Sequence, residues 1–361
     1  MRTMNRVLVA MSGGVDSSVA AALLKQQGHT VIGVTMRTWD GEACPAQTGF
    51  RGCYGPDEER DIEDARRVAG VLDITFHVLD LRSEYRSQVL DYSRGEYLSG
   101  RTPSPCVRCN REVKFEAVGR KARDCGIGFD LFATGHYARV EHDDTSHRYL
   151  LRKARDLRKD QSYFLFSLSQ EQLGCCLFPL GNRTKQEVKQ IASDLGLGIN
   201  GKPESQDFIS GGYSFLVKDL AQPGPILDGE GRLLGQHRGI PYYTIGQRRG
   251  LGIASQEPLY VTHIDAERNA VTVGRKDELY SDELTASELN WMVERPCRPI
   301  RAKARMRYRH SEAEAVIVPL DEARARVKFR ESQLAITPGQ AVVFYEDDLV
   351  LGGGTIEGRN R

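Results

Sequence analysis

The spacing of apolar and polar positions changes along the chain, and each change predicts a different architecture. Arg6 to Met11 read RVLVAM, a continuous apolar run suited to a strand buried on both faces. A glycine turn follows, then the helix-forming apolar run Val19 to Leu24. The pattern predicts a helix from Ser17 to Gln27, a strand in HTVIGVTM, and a helix from Glu58 to Leu72. It continues with a strand in ITFHVLDL, helices from Glu84 to Ser99 and Glu112 to Cys125, and a strand in DLFATGHYARV. Such alternation predicts an α/β fold with a doubly wound parallel sheet. Ligands in that fold sit at the carboxyl ends of strands. The opening turn, Met36 to Asp40, and Gly135-His136 all fall there.

Beyond Leu150 the pattern shifts. Gln161 to Leu168, Gln170 to Leu177 and Thr184 to Leu195 read as helices. From Gly211 onward Gly and Pro punctuate short segments, which predicts turns and small β structure. From about Leu284 the stretches RAKARMRYR, AEAVIV, ARVKFR, AVVFYED and LVLGGGTI alternate as strands of a small barrel or sandwich. This predicts three domains: residues 1–210, a small central domain 211–280, and a C-terminal β-barrel 281–361.

A chain of 361 residues exceeds one typical domain, and 40% hydrophobic content is ample for packed cores. Its net charge of +1 excludes a global field for nucleic acid, so any such surface must be local. No apolar run approaches a membrane span, and Met1 to Arg6 is too short and polar for a signal peptide. A cytoplasmic protein without a membrane partner is expected. The eight cysteines are irregularly spaced, which argues for chemistry or a metal over a disulfide scaffold.

Ser12-Gly13-Gly14-Val15-Asp16-Ser17-Ser18 joins the first strand to the first helix. That geometry points backbone N–H groups and a helix N-terminus at an anion. The glycines permit close approach and positive φ. Ser17 and Ser18 can donate hydroxyl hydrogen bonds, and Asp16 can cap the helix or hold a metal ion. The Walker-type lysine is absent. SGGVDS resembles the pyrophosphate loop of the ATP pyrophosphatase superfamily, whose members cleave ATP to AMP and pyrophosphate and adenylate a substrate oxygen. The plain alternative is an ordinary Gly-rich turn.

An ordered set of motifs makes the resemblance specific. AMSGGVDSS, TPSPCVRCNREVKF (102–115), ATGHYARV (133–140), KDQSYFLF (159–166), YTIGQRRGLG (243–252) and MRYRH (306–310) together resemble the tRNA-specific 2-thiouridylases, the MnmA family. The resemblance implies an adenine nucleotide alpha hydrolase-like first domain. It implies that ATP activates the C2 carbonyl oxygen of the wobble uridine, U34, that a cysteine persulfide delivers sulfur, and that AMP leaves. Its implied ATP contacts are Ala10, Met11, Ser12, Gly13, Gly14, Val15, Asp16, Ser17, Met36 and Gly135, with Mg²⁺ bridging the phosphates. Ser104, Pro105 and Cys106 would face the target base. Lys159, Asp160, Gln161, Arg307 and Tyr308 would contact tRNA, at its anticodon stem-loop. A sulfur donor protein or inorganic sulfide is the implied source of sulfur.

Cys109 is the expected catalytic cysteine. It precedes Asn110, an N-cap candidate for a helix starting at Arg111, and is flanked by Arg108, Arg111 and Lys114. A thiol so placed is expected to be partly thiolate. Cys175 and Cys176 read as buried and inert. Two positions depart from the family. Cys106 stands where the family has Asp, and Ile209 stands where a second, persulfide-bearing cysteine belongs. Three readings follow. Cys106 and Cys109 carry persulfide and resolving thiol alone; or Cys53, Cys106 and Cys109 ligate a [4Fe–4S] cluster; or thiolation is lost. A zinc half-site is weak, because no second CxxC or paired His follows.

Arg301, Lys303, Arg305, Arg307 and Arg309 alternate with Ala302, Ala304, Met306 and Tyr308 and predict a basic strand face; Arg324, Arg326, Lys328 and Arg330 repeat this. Arg152 to Lys159 and Gln247-Arg248-Arg249 are further basic stretches. Each has the alternative of a solvated charged surface. Competing functions are another pyrophosphate-loop tRNA-modifying synthetase, forming lysidine or an amide, and a non-catalytic RNA-binding homologue.

Overall fold

A computed structural model describes residues 4–41, 52–199 and 207–359. Cys44 and Glu204-Ser205-Gln206 lie outside them. The chain forms two compact units: Met1–Val89 with Cys106–Gly212 and Asp347–Val350, and Leu90–Pro105 with Tyr213–Glu346 and Leu351–Arg361.

In chain order the first elements are β1 (Arg6–Ala10), α1 (Val15–Gln26), β2 (Thr30–Arg37), β3 (Gly52–Tyr54), α2 (Glu58–Val71), β4 (Thr75–Asp80) and α3 (Arg82–Tyr85). After α4 (Tyr92–Leu98), which belongs to the second unit, come α5 (Pro105–Arg108), α6 (Val118–Asp124), β5 (Leu131–Ala133), β6 (Ala138–Asp143) and β7 (Arg148–Lys153). Then follow α7 (Gln170–Gly174), β8 (Cys176–Leu177), α8 (Lys185–Asp194) and β9 (Asp207–Ile209). The central sheet runs β4-β2-β1-β5-β8, and its pairs are parallel. The order reverses between β1 and β5, so a cleft opens at their carboxyl ends, the usual ligand site of such sheets. Val7, Leu8 and Val9 are fully buried, as the unbroken apolar run requires. Val7, Val9 and Met11 share a core with Val19, Ala20 and Leu23 of α1 and Ala65 and Val68 of α2.

Four elements differ from the pattern. DLFATGHYARV breaks into β5 and β6, because Gly135 leaves the sheet to pack on the opening loop. The helix expected at Gln161 shrinks to one 3₁₀ turn, Ser162–Phe164. Buried Asp160 pins the chain there, accepting from the backbone N–H of Ala154 and from the N–H and hydroxyl of Ser162. The helix expected over Gln170 to Leu177 stops at Gly174 and yields to β8. The helix expected from Glu112 begins at Pro105, and its Cys109–Ala117 portion is π-helical.

The second unit contains a four-stranded sheet, order β11-β10-β13-β12, of β10 (Gly224–Leu227), β11 (Leu233–His237), β12 (Tyr260–Asp265) and β13 (Ala270–Gly274). The remaining strands are β14 (Tyr280–Trp291), β15 (Ile300–Arg305), β16 (Ala313–Pro319), β17 (Ala325–Leu334), β18 (Ala341–Glu346) and β19 (Leu349–Arg359). They run in the order β14-β17-β16-β15-β18-β19, and β14–β19 pairing closes an antiparallel barrel. The basic strand ends at Arg305, so Arg307, Tyr308 and Arg309 lie in the turn beyond it and not on its face.

Candidate active site

The opening loop is built from local contacts. Gly13 has φ +66°, and a Cβ there would stand 2.3 Å from the Asp61 carbonyl oxygen. The Ser12 N–H donates to Ser17 Oγ at 3.1 Å. The hydroxyls of Ser17 and Ser18 donate to the Gly14 carbonyl at 3.2 and 2.8 Å. Both serines are buried, so the hydroxyls expected to face an anion instead brace the turn. Gly135 seats on the start of α1, where a Cβ would meet the Ser17 nitrogen at 2.6 Å. Met11 is buried, while Ala10, Val15 and Met36 keep part of their surface at the strand ends.

Asp16 is not the helix cap; Gly14 holds that position. Its carboxylate takes Lys185 Nζ on both oxygens at 2.7 Å and the Tyr137 hydroxyl at 2.8 Å. Lys185 opens α8, whose start is fixed by the reciprocal Thr184–Glu187 capping box. Sequence reading missed Lys185. Its T-x-x-E signature was visible, but the partner lies 169 residues away.

The second cluster lies on the helix from Pro105 to Asp124, which α5, the π segment and α6 form without a break. Cys109 therefore sits inside the helix and not at its N-terminus. Asn110 does not cap; its Nδ2 donates to the Phe164 carbonyl at 3.1 Å, and its buried Oδ1 has no partner. Cys109 is only 6% exposed. Burial pushes its thiol up to about 11, and the nearby Lys114 pulls it down only in part. The thiolate expected from a helix N-terminus is thus replaced by a protonated thiol in an apolar pocket.

Cys53 is exposed and lies on the short strand β3. β3 pairs in parallel with β9, Gly52 opposite Asp207 and Tyr54 opposite buried Ile209. Tyr54 stacks on Tyr85 with ring centroids 5.7 Å apart, and the Tyr85 hydroxyl donates to the Phe208 carbonyl at 2.9 Å. Burial raises Tyr85 well above the ordinary phenol range, with Cys109, Cys53 and Cys106 adding to the rise. The three thiols are thus neighbours of one buried ring. No three His, Cys, Asp or Glu side chains among the described residues converge to hold a metal ion. Neither the cluster nor the zinc half-site finds a ligand set among them. Cys125, Cys175 and Cys297 are exposed and Cys176 is buried.

In the loop of the first unit, Gln161 Oε1 accepts the Tyr137 N–H at 2.9 Å, and Asp160 is buried. Their side chains organise the loop, while Lys159 keeps part of its surface. Arg152 and Arg155 pair with Asp348 and Glu187.

Within the second unit, Arg301 and Lys303 point outward, but Arg305 pairs with Glu312 at 2.8 Å. On β17, Arg326 and Arg330 meet Glu283 and Glu314, and Arg324, just before it, meets Asp321. That strand reads as a solvated, neutralised face. Arg307 Nη2 donates to the Ala335 carbonyl and Thr337 Oγ1 at 2.7 and 2.8 Å. It lines a cavity of about 290 Å³ with Thr102, Thr244, Gln247 and Gln340. The Gln247 motif and the Arg307 motif thus meet at one cavity, which their separation in sequence concealed. Ser104 Oγ accepts the Ala341 N–H at 3.0 Å.

Residues 5–210 match the family model described as tRNA methyl transferase HUP domain. Residues 214–275 match the tRNA methyl transferase PRC-barrel domain, and 281–356 the aminomethyltransferase beta-barrel domain. The tRNA-specific 2-thiouridylase MnmA of Geotalea uraniireducens is 51% identical over 361 residues, covering 98% of this chain and 95% of the relative. The chain belongs to the tRNA-specific 2-thiouridylase family. The MnmA of Moorella thermoacetica is likewise 51% identical, over 97% of this chain and 99% of its own length. That of Endomicrobium trichonymphae is 45% identical over 99% and 100%. A solved 4-thiouridine synthetase in complex with RNA and bound ATP covers 56% of this chain and 44% of its own, with 17% identity and a TM-score of 0.32.

Proposed function

We propose that the protein is an ATP-dependent tRNA-uridine 2-sulfurtransferase acting on U34 in the anticodon stem-loop. One observation bears most of the weight. The Ser12–Gly14 turn and Gly135 meet at the reversal point of a parallel sheet, in the same unit as the buried Cys109. The turn suits an ATP pyrophosphate, because the glycines and the start of α1 lie where β1 ends. Both oxygens of Asp16 are engaged by Lys185; Mg²⁺ would come with the nucleotide and would offset phosphate charge, with Asp16 the nearest carboxylate.

A uracil carbonyl is a poor electrophile, and its oxygen is a poor leaving group. Attack of that oxygen on the α-phosphorus makes AMP the leaving group and releases pyrophosphate. The terminal sulfur of a Cys109 persulfide then attacks C2, and AMP departs with the oxygen. A second thiolate attacks Cys109 Sγ, breaking the S–S bond. This leaves 2-thiouridine on the tRNA and a protein disulfide, which an external dithiol reduces. Cys106 and Cys53 are the candidates for that second thiol. Cys53 stands on the strand paired with the one that bears Ile209. Sulfur enters from a persulfide-bearing donor protein; sulfide could serve only by attacking Cys109 Sγ of the protein disulfide in place of the reductant, which breaks that S–S bond, releases the second thiolate and leaves the persulfide on Cys109.

We also read the chain as three working parts, 1–210, 211–280 and 281–361, with tRNA contacts at Lys159, Arg307 and Tyr308. No helix among the described residues is long and apolar enough to cross a membrane, which supports a cytoplasmic enzyme. The test is tRNA-dependent AMP formation from ATP. Release of AMP without tRNA, or none with it, would defeat the reading.

A further inference from the structure

Two glutamines and two threonines of the second unit line the cavity beside Arg307, and backbone contacts fix how each glutamine is turned. Gln340 Nε2 donates to the carbonyls of Thr102 and Pro103 at 3.0 and 2.8 Å. A carbonyl can only accept, so the amide nitrogen must face them and the orientation of the group is set. Its Oε1 meets no donor among the described residues. Gln247 is locked in the same way. Its Oε1 accepts the Thr244 N–H at 3.1 Å, and its Nε2 donates one hydrogen to the Arg249 carbonyl at 3.0 Å. The second hydrogen of that Nε2 has no acceptor among the described residues. The hydroxyls of Thr102 and Thr244 share one hydrogen bond at 3.3 Å, so one of their two hydrogens is left over. Arg307 Nη2 is tied to the Ala335 carbonyl and to Thr337 Oγ1, which holds the guanidinium at the wall.

The cavity therefore carries one open acceptor, two open donors and a cation, all in place before anything binds. That set matches a nucleotide. The edge of a base offers a donor beside an acceptor, and the phosphate offers the anion. A volume of about 290 Å³ lies at the small end of ligand sites, which suits one nucleotide and not a dinucleotide. The surroundings favour a strand over a free nucleotide. Arg248 and Arg249, next to Gln247, are exposed, and no carboxylate pairs with either among the described residues. Arg309, two residues past Arg307, is likewise exposed with no carboxylate partner among them. On β17, by contrast, Arg326 and Arg330 are matched by Glu283 and Glu314. A free nucleotide has no further phosphates for these arginines, whereas a strand continuing out of the cavity does.

We propose that this cavity receives one unstacked nucleotide of single-stranded RNA, with Gln340 and Gln247 reading the edge of its base and Arg307 meeting its phosphate. Arg248 and Arg249 take phosphates of the neighbouring nucleotides. The occupant is a loop nucleotide of the tRNA, and in that identity the inference rests on the thiolation reading. Unpaired loop bases suit such a site, because their hydrogen-bonding edges are not already used by a partner strand. The two carboxamides are specificity-determining residues: they read a base by hydrogen bonds whose geometry the backbone has set in advance.

The experiment measures binding of anticodon stem-loop RNAs by fluorescence anisotropy, without ATP or a sulfur donor. One RNA is intact, and each of the others carries a single abasic loop nucleotide. In the wild type one abasic position weakens binding roughly tenfold, as loss of a hydrogen-bonded base edge requires. In Gln340→Met the intact RNA binds roughly tenfold less tightly, and the same abasic position then costs less than about twofold more, because the contact is already gone. Gln247→Met shows the same coupling and serves the test should the Gln340 variant not fold. Arg248→Ala lowers the log–log salt slope by roughly 0.7, whereas Gln340→Met leaves it unchanged. Abasic costs that are equal in the wild type and the folded glutamine variants at every position overturn the inference. So does displacement of the RNA by uridine 5′-monophosphate as effective as that by the intact stem-loop, which would put a free nucleotide in the cavity. A wild type that shows the coupling but makes no 2-thiouridine defeats the functional reading and leaves this inference standing.

Discussion

The nucleotide loop and the sulfur helix belong to one unit but handle charge in opposite ways. In the loop, the acid has its base: Asp16 is held by Lys185 on both oxygens and by Tyr137. The serine hydroxyls are satisfied by the turn itself. Such a site is rigid before its ligand comes, and the ligand brings its own charge and its own metal. On the helix, burial holds the Cys109 thiol and the Tyr85 phenol neutral. The difference teaches that the loop is shaped by paired charges, while the thiol is kept in place by burial.

The largest effect should come from removing the nucleophile. Cys109→Ser should abolish 2-thiouridine, measured by nucleoside mass spectrometry, while tRNA-dependent pyrophosphate release, the adenylation step, continues for a single turnover. Loss of both activities together would dissolve the distinction between the two regions.

Distorting the loop should do the reverse. Gly13→Val places a β-branched side chain at φ +66° against the Asp61 backbone. The backbone strain alone is about 1–3 kcal/mol. AMP formation should fall on the order of 10²-fold, as expected for a misplaced reacting group, while Cys109 alkylation is unchanged. A variant that makes AMP normally would remove the loop from the mechanism.

Lys185→Met sharpens the contrast, because it removes one charge-assisted contact and leaves the turn. AMP formation should drop on the order of tenfold, equivalent to about 1.5 kcal/mol. An effect no larger than that of a surface lysine would return the Asp16 pair to a structural role.

The two candidate partners of Cys109 separate next. Cys106→Ser and Cys53→Ser should each be assayed for 2-thiouridine, and the variant that loses it marks the second thiol. Full activity in both would mean that an outside reductant resolves Cys109 directly.

The smallest effect lies on the barrel. Arg307→Ala should weaken tRNA binding and lower the log–log salt slope by roughly 0.7 to 0.9. Arg330→Ala, whose charge Glu314 already offsets, should leave affinity and slope unaltered. Equal slopes for the two variants would erase the distinction between cavity and neutralised strand.

How much was legible follows from where the determining contacts lie. The strand, glycine turn and helix at the start are local features, so RVLVAMSGGVDSS announced them. The break at Gly135 was not legible, because it is enforced by packing on Ser17 at the start of α1. Lys185 was invisible as a partner of Asp16 for the same reason. The sequence also suggested a reactive thiolate at a helix start. Flanking bases were visible in RCNREVK, but the helix start at Pro105 and the burial of Cys109 depend on neighbours far along the chain. Alternation exposed the basic residues of the barrel strands, while their carboxylate partners on adjacent strands became apparent only with the register.

The most direct test of the central claim couples the two regions in one reaction. Purified protein, Mg²⁺-ATP, unmodified tRNA carrying U34 and a persulfide donor are incubated with a dithiol reductant. AMP, pyrophosphate and 2-thiouridine are then counted from the same sample. The account predicts 2-thiouridine at position 34 with AMP in equal amount, and in Cys109→Ser pyrophosphate with neither 2-thiouridine nor a matching amount of AMP. AMP formed by the wild type with no 2-thiouridine, or 2-thiouridine formed without AMP, would contradict it.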